Sequence, residues 1–165
     1  MLLNSEQIAE FVKESEFSKR AQVGIDLSVA KIETVNSTSV VYMDKTYIDP
    51  YGYKTLDTVI IDQREVWVLE PGVYSITFNE GVKIPPHCAA KITHRSSLYR
   101  TGTSIESPWW DPGFECDNMN TTMIVSVGLI LEKNARAAQI AFHLIDKVGE
   151  QYNGQFQNLS TAYKS

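Results

Sequence analysis

Apolar and polar positions along the chain fall into one short helical stretch followed by a long series of two-residue alternations. In residues 4–15, NSEQIAEFVKES, the apolar Ile8, Phe11 and Val12 recur at helical spacing, with Asn4 or Ser5 placed to cap the start. From residue 24 the period changes to two. GIDLSVAKIETV, SVVYM, TVIID, EVWVL, VYSITF, AAKIT, TTMIVSV and AQIAFHLI are short and rich in β-branched or aromatic residues. Turn signals separate them, among them Asp49-Pro50-Tyr51-Gly52, Glu70-Pro71-Gly72 and Asp111-Pro112-Gly113. In 138–145, Ala138, Ile140, Phe142 and Leu144 are predicted to share one face, with Gln139, Ala141, His143 and Ile145 on the other. The pattern predicts an all-β, jelly-roll-like β-sandwich in one domain spanning 1–165. It predicts a single short helix, in the N-terminal region 1–17, and a polar, aperiodic C-terminal arm over 149–165.

Composition narrows the function without naming it. The 165 residues are 43% hydrophobic and 21% charged, ordinary values for a single globular core. No apolar run approaches the length of a membrane span, and MLLNSEQIAEF lacks the basic and apolar regions of a secretory signal, so a cytoplasmic location is expected. The net charge is −5 and the pI about 5.2, which disfavours binding to a nucleic-acid polymer. An anionic ligand therefore needs locally concentrated arginines, or a divalent cation arriving with it. Cys88 and Cys116 stand far apart with no metal spacing and read as two free thiols. His87 and His94 flank the strand near Cys88 in no recognisable zinc pattern.

Several segments could carry chemistry. In His94-Arg95-Ser96-Ser97-Leu98-Tyr99-Arg100-Thr101-Gly102, two arginines bracket two hydroxyls, a phosphate cradle or a solvated turn after a strand. Trp109-Trp110-Asp111-Pro112-Gly113-Phe114 holds a carboxylate among rings that could exclude water. Asp111 there either orients a water or a sugar hydroxyl, or caps its own turn. Asp26, alone in an apolar strand, needs a partner, and is either the structural partner of an arginine or part of a site. Arg136 and Gln139 interrupt another apolar strand, where a ligand could satisfy the amide. Tyr152-Asn153-Gly154-Gln155-Phe156-Gln157 is either a lid over a base or a polar terminus.

Taken in this order, GIDLS, RSSLYRTG, WWDPGFE, RAAQIAF and YNGQFQ resemble the five motifs of the dUTP diphosphatase and dCTP deaminase superfamily. The resemblance covers roughly residues 20 to 157. It implies a jelly roll, a homotrimer with sites at subunit boundaries, and a Mg²⁺-bound triphosphate; since these segments hold no carboxylate pair, no direct protein ligand to the metal is expected. By position, Arg95, Ser96, Ser97 and Arg100 would hold phosphates. Asp111 would orient the attacking water. Phe114 would lie under the deoxyribose and exclude a 2′-hydroxyl. Gln139 would contact phosphate or water. Tyr152 and Gln155 would belong to the closing tail, and Asp26 and Arg136 would support the site. Main-chain groups around Met119, Asn120 and Thr121 would read the base.

Three departures sort the superfamily's branches. The deaminases carry a catalytic Glu where this chain has Thr121, and no carboxylate lies between Asp117 and Glu132. Attack of water on a pyrimidine then lacks a proton shuttle. The Gly-rich tail of the familiar trimeric diphosphatases is also missing, and Gln151 replaces a Lys usual before the tail Tyr of the deaminases. The chain resembles the archaeal-type diphosphatases, a deaminase-like scaffold used to hydrolyse dUTP to dUMP and pyrophosphate. The alternatives are dCTP deamination, and a deoxynucleotide-binding regulator without turnover.

Overall fold

The computed structural model describes residues 1–36, 38–49, 52–147, 149–154 and 156–157. Helix α1 (Ser5–Ile8) starts with a reciprocal capping box: Asn4 Oδ1 accepts from the Gln7 main-chain N–H, and Gln7 Oε1 accepts from that of Asn4, both at 3.0 Å. The helix is shorter than its periodicity predicts. It tightens into a 3₁₀ turn at Ala9–Phe11, and Val12–Lys13 is already strand. Tertiary pairing explains the early stop. Val12 joins the ladder opposite Val82, while Ile8 and Val12 still bury the apolar face as predicted.

In chain order the strands are β1 (Val12–Lys13), β2 (Lys19–Arg20), β3 (Ile25–Val35), β4 (Val40–Val41), β5 (Thr46–Tyr47), β6 (Tyr53–Thr55), β7 (Val59–Ile61), β8 (Arg64–Leu69), β9 (Gly72–Phe78), β10 (Gly81–Lys83), β11 (Cys88–His94), β12 (Thr103–Glu106), β13 (Glu115–Cys116), β14 (Asn120–Val125), β15 (Leu129–Glu132) and β16 (Arg136–Leu144). A second helix, α2 (Ser96–Tyr99), departs from the single-helix expectation. It is one turn long, too short to leave an apolar period in the sequence. The main sheet runs β11-β16-β3-β9-β14-β12, with β2 and β6 also on β3, and smaller sheets β1-β10-β13, β15-β8-β7 and β4-β5 complete the all-β, jelly-roll-like architecture.

β3 is the hinge of this arrangement. Its first half pairs with β16 and β2, its second half with β9 and β6, and the register slips at Val29/Lys31 where it turns from one set to the other. Ile25, Leu27, Ile76, Phe78, Ile140 and Phe142 are fully buried between the layers. On β16 the predicted alternation holds from Ala138 to Phe142, while Leu144 at the strand's end is exposed. Among the described residues no helix is long and apolar enough to cross a membrane.

The first five residues of β3 are buried on both faces. One polar consequence is structural. Glu80 is completely buried and accepts from the Ser28 N–H (2.9 Å) and from the hydroxyls of Ser28 (2.7 Å), Ser15 (2.5 Å) and Ser18 (2.8 Å). It thereby fastens the segment before β2 onto β3. Glu80→Ala leaves these donors without an acceptor, and urea unfolding should show a loss of about 3 kcal/mol. A loss under about 1 kcal/mol would mean water replaces the carboxylate.

Candidate active site

The other polar consequence of β3 is a charged cluster. Asp26, 3% exposed, receives Arg95 Nε at 3.1 Å, Gln139 Nε2 at 3.2 Å, and Arg136 Nε at 3.8 Å. Arg95 Nη1 also donates to the Arg136 carbonyl at 3.0 Å, so its fork is aimed by two fixed acceptors. Gly24 permits the approach: a Cβ there would lie 2.3 Å from the Ile140 carbonyl oxygen and 2.7 Å from Gln139 Cγ. Asp26 thus serves as the ionic partner of arginines and as part of the wall of an open groove of about 820 Å³.

Arg95, Ser96 and Gln139 line this groove with Lys19, Arg20 and His94. Arg20 is spent on Glu14 (2.8 Å) and Glu6 (2.9 Å). His94 stacks on Tyr99 with ring centroids 4.9 Å apart. Lys19, not singled out from the sequence, lies opposite Asp26 in the β2–β3 register, across a tight turn closed by the Ala21 N–H on the Gly24 carbonyl at 2.8 Å. Ser97 and Arg100, on α2 and at its C-terminal end, are exposed and lie outside the groove's lining. Among the described residues no group of three or more His, Cys, Asp or Glu could hold a metal ion.

The WWDPGF segment sits elsewhere. Trp110 bridges Ala90 on β11 with hydrogen bonds of 2.8 and 3.0 Å, four residues from His94, about 13 Å along an extended strand. The Asp-Pro-Gly-Phe turn closes through the Phe114 N–H to the Asp111 carbonyl at 3.1 Å, with Gly113 at φ +82°, the left-handed value the third position of such a turn requires. Gly113 N–H also bonds the Ile84 carbonyl (3.0 Å), and Ile84 N–H that of Phe114 (2.9 Å). The turn is held by main chain throughout. The Asp111 carboxylate makes no hydrogen bond or ion pair among the described residues, so it is not what caps the turn. Nor do the rings shut water out in the single chain, where Asp111 is exposed. Flanking rings in sequence do not enclose a side chain at the tip of a turn.

Beside Asp111 is a second cavity, of about 400 Å³. Phe114 packs edge-on between Trp110 (5.0 Å) and Tyr152 (5.4 Å). The arm lies over its own chain's turn: Tyr152 N–H donates to the Pro112 carbonyl (2.7 Å), and Gln157 Nε2 to that of Gly113 (2.8 Å). Gln155 lies outside the described residues. The two cavities have no lining residue in common.

Asn118 and Asn120 line this second cavity. The main chain of Met119 is consumed by β9 and the turn after it, its N–H on the Glu80 carbonyl and its C=O on the Phe78 N–H, both at 2.8 Å. An antiparallel ladder alternates, so Thr121 also turns its main chain toward β9 and Asn120 turns its own the other way. β12 ends opposite Thr122, so Asn120 presents its N–H and C=O past that end. Of Met119, Asn120 and Thr121, Asn120 is the one whose main-chain N–H and C=O are turned away from β9. The Thr121 side chain is buried and donates to the Glu106 carbonyl.

Cys116 also lines the cavity, and burial pushes its thiol up to about 12; the buried Cys88 thiol is pushed up as well. Both cysteines are free. The thiolate is the reactive form. Ellman's reagent at pH 8 should therefore label neither in the folded protein and both in urea, and rapid labelling of the native chain would contradict the burial.

The model of the dCTP deaminase-like family matches residues 2–145. The chain is 35% identical over 141 residues to a probable deoxyuridine 5′-triphosphate nucleotidohydrolase of Methanococcoides burtonii, covering 82% of this chain and 79% of the relative. The corresponding protein of Methanosarcina acetivorans is 33% identical over 141 residues, 84% of this chain and 80% of the relative. The fold superposes on the crystal structure of 2′-deoxycytidine 5′-triphosphate deaminase from Agrobacterium tumefaciens with a TM-score of 0.63 and 20% identity, over 90% of this chain and 50% of that one. The motif order, the strand architecture and the matched span agree: this chain belongs to the dCTP deaminase-like family.

Proposed function

We propose that this chain hydrolyses dUTP to dUMP and pyrophosphate. The observation that carries the reading is an available carboxylate at Asp111 together with a committed hydroxyl, and no carboxylate, at position 121. Asp111 stands on a main-chain-clamped turn beside an aromatic cavity with no protein partner among the described residues. The position that resembles the deaminases' catalytic Glu is Thr121, its hydroxyl already committed to Glu106. The chain can therefore orient and deprotonate a water at phosphorus, and it has no shuttle for attack on the ring.

In this reading the pyrimidine and sugar occupy the aromatic cavity, with the deoxyribose on Phe114. The triphosphate lies along Arg95, Ser96, Lys19 and Gln139, with Ser97 and Arg100 at its outer end. A ribose hydroxyl against Phe114 loses water partners without replacement, about 1–3 kcal/mol, or a tenfold to hundredfold preference for dUTP over UTP. The carboxylates lining the groove, Asp26 and Glu6, are both paired with arginines, so the donor set fits a magnesium ion carried on the phosphates and offsetting their charge. That the two cavities share no lining residue supports a nucleotide that bridges copies of the chain in a homotrimer, sugar on one and phosphates on another.

Incubation with each deoxynucleoside triphosphate and Mg²⁺, followed by product chromatography, tests the function. The expected result is dUMP and pyrophosphate from dUTP and no ammonia from dCTP. Ammonia release at a matching rate would make the chain a deaminase. Tight binding without any product would make it a regulator.

A further inference from the structure

Asn118 is a side chain in the aromatic cavity whose orientation is decided by the fold. Its Nδ2 donates to the main-chain carbonyls of Phe78 (3.0 Å) and Asn79 (3.3 Å). Flipping the carboxamide would set Oδ1 against two carbonyl oxygens, so the flipped state is excluded. The two ends of a carboxamide point apart. With the amine turned to the β9 end, Oδ1 is left on the open side, and it has no partner among the described residues. Asn118 lines the cavity. The mount is stiff as well: the Phe78 N–H bonds the Met119 carbonyl, and the Met119 N–H bonds that of Glu80, so the residues on either side of Asn79 are tied to Asn118's neighbour. The neighbouring Asn120 carboxamide differs: its Nδ2 lies on the hydroxyls of Ser75 (2.9 Å) and Thr77 (3.0 Å), which can donate as well as accept, and its Oδ1 accepts from Ser75 Oγ at 3.4 Å.

We propose that Asn118 Oδ1 is a base-reading acceptor that takes the N3–H of uracil and thereby sets uracil over cytosine. The inference rests on the dUTP reading and deepens it. A fixed acceptor opposite the middle of the pyrimidine edge meets a donor in uracil and a lone pair in cytosine, whose N3 carries no hydrogen. The Asn120 main-chain N–H supplies the donor that a flanking carbonyl oxygen of uracil needs. A side-chain acceptor whose own amine is immobilised discriminates better than a free amide, which could rotate to offer either face. Asn118 is a specificity residue and takes no part in the chemical step.

The test uses monophosphates, so that binding is read without turnover. Calorimetric titration of the full chain with dUMP, 3-methyl-dUMP and dCMP should show dUMP binding tenfold to hundredfold more tightly than either of the others. In Asn118→Ala, dUMP affinity should fall at least tenfold while 3-methyl-dUMP changes less than threefold, so the ratio collapses toward one. If that variant does not fold, Asn118→Ser, whose hydroxyl can still reach a main-chain carbonyl, replaces it. Wild-type chain that binds dCMP or 3-methyl-dUMP as tightly as dUMP overturns the proposal, and so does a ratio unchanged by the substitution. A chain that hydrolyses dUTP yet keeps its ratio in the variant overturns this inference alone. One that turns over no nucleotide but shows the Asn118-dependent ratio supports it and overturns the hydrolase reading. Failure of the wild type to bind any monophosphate overturns this inference, and the hydrolase reading is then decided by product formation from dUTP alone.

Discussion

Asp111→Asn should leave the fold and nucleotide affinity nearly unchanged and lower dUTP turnover by about 10²-fold or more, the usual scale for losing a general base. The structure sharpens the reason. The turn that carries Asp111 is closed by the Phe114 N–H and anchored by Ile84, all through main chain. The carboxylate takes no part in that network, so amidation removes nothing structural. Asparagine can still hold a water but cannot accept its proton. The melting temperature should therefore move by less than a degree or two while turnover collapses. Near-wild-type turnover with normal affinity would remove Asp111 from the mechanism, and with it the main support for hydrolysis.

Arg95→Ala should lower kcat/KM for dUTP by about 10²- to 10³-fold and also destabilise the chain. The first effect follows from losing a fork aimed into the groove by Asp26 and the Arg136 carbonyl. The second follows from the charge left behind. Asp26 is almost fully buried, and without Arg95 its remaining cation is Arg136 at 3.8 Å, so about 2–3 kcal/mol of stability should go. Arg95→Lys separates the two effects. An ammonium can still neutralise Asp26 but cannot bond carboxylate, carbonyl and phosphate at once. It should recover much of the stability and little of the activity. Recovery of both together would reduce Arg95 to a structural ion pair. Mixing the inactive Arg95→Ala and Asp111→Asn chains gives a further reading. If the nucleotide bridges copies, hybrids regain part of the activity, whereas a site within one chain gives none.

The order of elements and the chemistry of the motifs were set by local physics and could be read from the chain. Two-residue alternation bounded by Pro-Gly turns yields strands in any context that offers a core, and β3, β9, β11 and β16 lie where the alternation puts them. Asp26 was legible as a residue in need of an arginine, because an unpaired carboxylate between apolar neighbours is too costly to leave alone. Other features depend on long-range packing and leave no local trace. The helix stops at Phe11 because Val12 finds Val82 across the sheet, seventy residues away. Glu80 looks in sequence like a turn residue before Gly81 and is in fact the buried acceptor for three serines. Which of Met119, Asn120 and Thr121 faces the cavity was undecidable from residue types, since ladder parity depends on the partner strand's register. The same holds for Asn118, an ordinary amide in sequence: two carbonyls at the end of β9 take its nitrogen, and the fold alone thereby fixes its flip beside the cavity.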